Sequence, residues 1–69
     1  MIGKKIRELR KAKGLKQWEL AELIGTTQPL VSAWEVGVCE PHLFFLILLA
    51  DVFDISLDEL CCRDFKGEN

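Results

Sequence analysis

The side chains best suited to metal binding or nucleophilic catalysis in this 69-residue chain are three cysteines and a single histidine. Cys39 and His42 are separated by two residues, as in zinc ligand pairs, and Cys61 and Cys62 would complete four ligands. The pattern is weak, because structural zinc prefers two spaced pairs of ligands. For a thiol–imidazole nucleophile, the sequence offers no third group that orients the histidine. We therefore predict no metal, no cofactor and no enzyme, with Cys61 buried as a small hydrophobe and Cys39 and Cys62 as exposed thiols.

A second group of polar side chains is suited to hydrogen bonding rather than to catalysis. It falls on one side of the segment 28–36, opposite Val31 and Glu35, and consists of Thr27, Gln28, Ser32 and Ala33. A protruding helix with small and amide side chains can enter the major groove of DNA. There glutamine can bond N6 and N7 of adenine, and alanine can touch a thymine methyl group. The alternative is that these residues are an ordinary solvated helix surface.

Length and composition limit the class of protein. With 49% hydrophobic and 29% charged residues, the chain is a folded domain rather than a disordered segment. No apolar run reaches the roughly 18 residues of a membrane span, and the lysine-rich start lacks a secretory signal. An odd number of cysteines is no disulfide framework. We expect one domain over residues 1–69, in the cytoplasm and without a membrane partner.

Charge is divided unevenly along the chain. Up to Gly37, seven basic and four acidic residues give a net charge of +3. From Val38 onward, two basic and seven acidic residues give −5, so that the total is −2. A basic half joined to an acidic half indicates that one face is turned toward an anion. An ordinary solvated surface fits the charges equally well.

The spacing of apolar residues predicts five short helices and no strand, an all-α domain. The first helix covers 2–13 and ends at Gly14, the second covers 17–24 and ends at Gly25, and the third begins after Thr27 and ends at Gly37. The fourth covers about 42–53. The fifth begins at Ser56, whose spacing to Glu59 is that of a capping box, and a short tail follows at 63–69.

The fourth helix is apolar nearly all round, which is unusual for a helix of a small monomer. Its core face is predicted to carry Leu43, Leu46, Ile47, Ala50 and Phe53. The opposite side is predicted to expose Phe44, Phe45, Leu48 and Val52, with Val36 and Val38 nearby. Such a patch reaches about 500 Å², at the upper limit for a monomer surface. We predict that it forms the interface with a second copy or with a protein partner.

A set of motifs runs in fixed order along nearly the whole chain: Gln17-Trp18-Glu19-Leu20-Ala21, Gly25, Thr27-Gln28-Pro29, Val31-Ser32-Ala33-Trp34-Glu35, Gly37, Pro41, Leu46, Ala50-Asp51-Val52-Phe53 and Ser56-Leu57-Asp58-Glu59-Leu60. Together they resemble the phage-repressor and Cro-like (XRE-type) helix-turn-helix family over roughly residues 4 to 60. The resemblance implies a compact five-helix, lambda-repressor-like domain, with the helix-turn-helix at about 17–36.

The resemblance also implies roles for individual residues. Gln28 matches the main base-reading position, flanked by Thr27, Ser32 and Ala33, and Gln17 matches a position that bonds a phosphate. Arg10 and Glu35 match a pair that forms a largely enclosed ion pair between the first and third helices. Trp34 matches a packing position and is expected to be partly covered. The function implied is sequence-specific binding of double-stranded DNA, as a homodimer on a two-fold operator.

Two departures from the family pattern leave an alternative open. The third helix contains no Lys or Arg, and Glu40 follows it where basic or amide residues are common in the family. Phosphate contacts supply most nonspecific affinity for DNA, so their absence weakens binding. Together with the apolar fourth helix, this favours as an alternative a diverged or engineered scaffold. Such a scaffold would self-associate or bind a protein partner, with little DNA binding.

Overall fold

The computed structural model describes residues 2–61, and these fold into five α-helices without a strand. The helices are α1 (Ile2–Ala12), α2 (Gln17–Ile24), α3 (Gln28–Val36), α4 (Leu43–Phe53) and α5 (Leu57–Leu60). The all-α prediction is confirmed, and all five helices begin within one residue of the predicted positions. The predicted tail at 63–69 and Cys62 lie outside the described residues.

The helix ends follow from the residues placed there. Gly25 and Gly37 adopt left-handed backbone angles (φ 77° and 88°), and their N–H groups bond the last carbonyls of α2 and α3. Only glycine adopts this conformation without a steric cost. At α5, the Ser56 hydroxyl accepts a bond from the Glu59 N–H (3.0 Å), and the Glu59 carboxylate accepts one from the Ser56 N–H (3.2 Å). The predicted capping box is therefore present.

The core lies between α3 and the helices around it. Its ten buried apolar residues come from every helix: Ile6, Leu20, Ala21, Ile24, Val31, Trp34, Leu49, Ala50, Phe53 and Leu60. Trp34 is 1% exposed, more deeply buried than the partial cover predicted for it. Phe45 contributes to this burial, because its ring packs against Trp34 with the two ring centroids 5.3 Å apart.

The first turn of α1 packs directly against the last turn of α3. Gly3 is buried there, and a Cβ atom at this position would collide with the backbone carbonyl oxygen of Trp34. Only a residue without a side chain allows the two backbones to come this close. α3 is therefore held by α1 at its end, and it also packs against α2.

The predicted core face of α4 is wrong in two positions. Leu43 and Ile47, expected inside, are exposed, and Leu49 is fully buried. The predicted outer residues Phe45, Leu48 and Val52 are half-buried and pack against the core, whereas Phe44 is exposed as predicted. α4 packs against α5, and its Phe45 packs against Trp34, so the buried side of α4 differs from the predicted one.

Along residues 2–61, every helix is too short or too polar to cross a lipid bilayer.

Candidate nucleic-acid interface

The start of α3 presents the polar side chains that the sequence singled out. Thr27 and Gln28 are exposed, and Ser32 and Ala33 are half-buried one turn further along the helix. On the inner side, Val31 and Trp34 are anchored in the core. Pro29 lies in the first turn, where its missing N–H leaves no bond unmade. α3 thus has one side fixed in the core and another open to a ligand.

An ion pair joins α1 to the inner side of α3. Arg10 Nε lies 2.7 Å from Glu35 Oε2, and Arg10 Nη2 lies 3.1 Å from Glu35 Oε1. The third guanidinium nitrogen, Nη1, donates to the backbone carbonyl of Leu15 at 2.8 Å. The two side chains are 10% and 3% exposed, so the structure contains the enclosed pair that the family resemblance implies. Such a two-bond geometry makes the pair directional as well as charged.

The ion pair continues outward as a chain of side-chain amides. Gln17 Nε2 donates to Glu35 Oε1 at 3.0 Å, and Gln28 Nε2 donates to Gln17 Oε1 at 3.4 Å. The residues predicted separately as a phosphate contact, a base contact and an ion pair are therefore one connected network. This connection could not be predicted from the sequence, because Arg10, Gln17 and Gln28 lie on three different helices.

The basic side chains lie outside α3. The basic side chains of the first half are mostly exposed, on α1 and in the connection to α2: Lys4, Arg7, Lys11, Lys13 and Lys16. α3 contributes no Lys or Arg, and Glu40 is exposed in the connection that follows it. Among the described residues, the exposed positive charge therefore lies on α1 and in the connection to α2 rather than on α3.

A separate apolar patch adjoins the end of α3. Its members each have more than half of their surface exposed, and they are Val36, Val38, Leu43, Phe44 and Ile47. The Phe44 ring stands edge-on to Phe45, with centroids 5.5 Å apart, and Phe45 in turn contacts Trp34. Within the apolar patch, Phe44 is thus linked to the core through Phe45. Of the four residues predicted as an interface, only Phe44 belongs to its fully exposed part.

The cysteines lie apart from the amide network. Cys39 is exposed in the connection between α3 and α4, and Cys61 is half-buried at the end of α5; both are free thiols. Over the part of the chain that the structure describes, His, Cys, Asp and Glu side chains form no group of three that would hold a metal ion. Trp18 is 49% exposed on α2.

Two helices joined by a tight turn through Gly25, with the second projecting polar side chains, define a helix-turn-helix protein. The helix-turn-helix family matches residues 6–60, most of the chain. The chain belongs to this family.

Among known proteins, the chain is similar to the uncharacterized HTH-type transcriptional regulator YqaE of Bacillus subtilis, with 36% identity over 69 residues, all of this chain and 56% of that protein. The P22 c2 repressor in complex with a synthetic operator is 30% identical, with a TM-score of 0.82 over 87% of this chain and 91% of that one. The biofilm regulator SinR in complex with DNA is 35% identical, with a TM-score of 0.82 over 88% and 98% of the two chains. The chain spans about half the length of the curated relatives that it matches.

Proposed function

We propose that this chain is the sequence-specific DNA-binding domain of a transcriptional regulator. The observation that carries the proposal is the exposed amide of Gln28 at the start of α3, held in place by Gln17. A fixed amide on a projecting helix is what direct readout in the major groove requires. Two similar solved structures, those of P22 c2 and SinR, are complexes with DNA, which supports the same role here.

Each residue of the interface has a distinct part in this proposal. Gln28 reads the base, and Thr27, Ser32 and Ala33 line the groove beside it. Gln17 donates one N–H of its side-chain amide to Glu35, and the second N–H is left to donate to a phosphate oxygen. With no Lys or Arg on α3, phosphate attraction comes from the exposed basic residues of α1 and of the connection to α2. Binding should therefore be salt-sensitive but modest in its nonspecific part.

The test is a selection of preferred duplexes at low salt, followed by measurement of Gln28→Ala. We expect the variant to lose roughly 1–3 kcal/mol of affinity at the preferred site and to bind other sequences as before. Glu22→Ala is the control, because Glu22 is exposed on α2 and outside the amide network. Equal affinity of the unmodified protein for all sequences would refute base reading.

We further propose that two copies associate through the apolar patch, which would present two α3 helices to a two-fold operator. Five side chains with more than half their surface exposed amount to something on the order of 600 Å², most of the ~800 Å² per partner in a standard interface. At ~25 cal/mol per Å², burial would contribute on the order of 15 kcal/mol per protomer before the costs of association. Phe44, the largest member, is the natural centre of such an interface.

Sedimentation tests the association. Phe44→Asp should convert the dimer to a monomer. Trp18→Asp is the control: it also replaces an exposed aromatic side chain by a carboxylate, but on α2, and it should leave the dimer intact. An unchanged mass for Phe44→Asp would exclude the apolar patch as the interface.

The alternative function, a self-associating or partner-binding scaffold, is favoured by the absence of Lys and Arg on α3 together with the exposed Glu40. It predicts a stable dimer that shows no shift of any duplex at low salt. A monomer that does not bind DNA would instead favour a different protein as the partner that covers the apolar patch.

A further inference from the structure

We propose that the outer side of α2 is a docking surface for an amphipathic helix of another protein, one that carries Lys or Arg beside its apolar face. The proposed surface uses none of the residues assigned to DNA reading and none of the apolar patch. Its features are an apolar groove, a row of side chains parallel to α2 and a negative edge.

The groove lies on the side of α2 that faces away from the buried residues of this helix. It has a volume of about 400 Å³ and mostly apolar walls, and it is lined by Leu15, Trp18, Glu19, Glu22 and Leu23. Trp18 is 49% and Leu23 59% exposed, although both side chains are large and apolar. Tryptophan is enriched in protein–protein interfaces, where its ring supplies much of the binding energy. An uncovered tryptophan in an apolar groove therefore indicates a surface that a partner covers.

The shape of the groove favours a helix as the occupant. The lining positions 18, 19, 22 and 23 are three or four residues apart along α2, so they form one stripe parallel to the helix axis. α2 has eight residues, which gives the stripe a length of about 12 Å, or about two turns. An elongated apolar stripe of this length matches the side-chain rows of a second helix packed alongside it.

The edge of the groove is negative. Glu22 is exposed and Glu19 half-buried, and among residues 2–61 neither carboxylate pairs with a Lys or Arg side chain. Glu19 accepts a hydrogen bond from the backbone N–H of Lys16 at 2.8 Å, which leaves its charge in place. Such an edge attracts a segment that carries Lys or Arg and repels an acidic one. A cation beside Trp18 would also be attracted to the face of the indole ring.

The occupant is a different protein rather than a second copy of this chain. On α1, the exposed basic residues Lys4, Arg7 and Lys11 have no exposed large apolar residue among them. The apolar patch has the reverse composition, because its five members include no Lys or Arg and the nearby Glu40 is acidic. Neither surface therefore offers the groove an apolar side chain flanked by cations.

A designed peptide tests the docking surface. The probe is a fluorescein-labelled helical peptide of about 15 residues, built from Leu, Lys and Ala with its leucines on one face. Its binding to the purified protein is followed by fluorescence anisotropy at low salt. We expect saturable binding below about 1 mM that weakens as salt is added. A peptide with Glu in place of every Lys should not bind, because it has the same sign of charge as the edge of the groove.

Four variants locate the peptide on the protein. Trp18→Ala should weaken binding at least about tenfold, the effect of removing a central aromatic side chain. Glu22→Gln should weaken binding about 2- to 5-fold, as expected for an exposed ion pair. Glu8→Gln, which removes the same charge from an exposed position on α1, should have no effect. Phe44→Asp should bind the peptide as the unmodified protein does, since Phe44 belongs to the apolar patch.

Leu23→Ala covers the case in which Trp18→Ala does not fold, and it should also weaken binding of the peptide. Absence of saturable binding, or equal binding of the Lys and Glu peptides, would overturn the proposal. So would loss of binding in Phe44→Asp while Trp18→Ala binds normally, since that result would place the peptide on the apolar patch. None of these measurements uses DNA, so the docking surface and the proposed function can fail separately.

Discussion

Removing Arg10 alone should destabilise the domain severely, and Arg10→Met is the most direct test of the ion pair. Methionine keeps the apolar stem of the side chain but leaves Glu35 with a single donor, the amide of Gln17 at 3.0 Å. The Glu35 side chain is 3% exposed, so water cannot replace the lost bonds. Breaking a buried pair from one side costs about 3–5 kcal/mol.

This loss is large for a chain of 69 residues. At about 0.05–0.15 kcal/mol per residue, such a domain has a total stability of roughly 3–10 kcal/mol. We expect the midpoint of thermal unfolding, followed by circular dichroism, to fall by at least about 12 °C, since a domain of this size loses about 4–8 °C per kcal/mol. Arg7→Met is the matched control, because Arg7 is exposed on the same helix.

The double variant Arg10→Met with Glu35→Leu completes the cycle. It replaces the pair by apolar side chains of similar size, and we expect it to recover most of the lost stability. A loss of less than about 1 kcal/mol in Arg10→Met would show that the pair behaves like a surface salt bridge rather than a buried one.

Three further predictions concern helix packing and helix ends, each measured as the free energy of unfolding in urea. Gly3→Ala should cost about 1–3 kcal/mol, because the added methyl group collides with the carbonyl of Trp34; an unaltered midpoint would contradict the close approach of α1 and α3. Ser56→Ala should cost about 1 kcal/mol by removing the cap on Glu59, and a neutral result would mean that α5 does not depend on its cap. Asp54→Gly should stabilise by about 0.5 kcal/mol, since Asp54 has a φ of 57°; a loss of stability would show that its side chain is needed.

The helices could be predicted from the sequence because their ends are marked by residues with specific conformational properties. Gly25 and Gly37 end α2 and α3 in left-handed conformations, and Ser56 begins α5. The face of α4 could not be predicted in the same way. A helix that is apolar nearly all round offers little contrast between its sides, so Leu43 and Ile47 were indistinguishable from Leu49.

The connections within the candidate interface were predictable only in part. The Arg10–Glu35 pair followed from the family resemblance, residue by residue. The bonds of Gln17 to Glu35 and to Gln28 depend on how α2 is placed against α3, and no spacing along the chain encodes that placement. Polar side chains from different helices are brought into register by the packing of the core between them.

The close contact at Gly3 has a consequence for the thermodynamics of ligand binding. α3 is held by α1 at its last turn and by the turn through Gly25 at its start, so its backbone has little conformational freedom left to lose. A ligand that meets such a helix incurs almost no ordering entropy on the protein side. When the protein surface is rigid, the DNA must change its shape to fit. Differences in affinity among duplexes should therefore include the energy needed to bend each duplex or to narrow its groove.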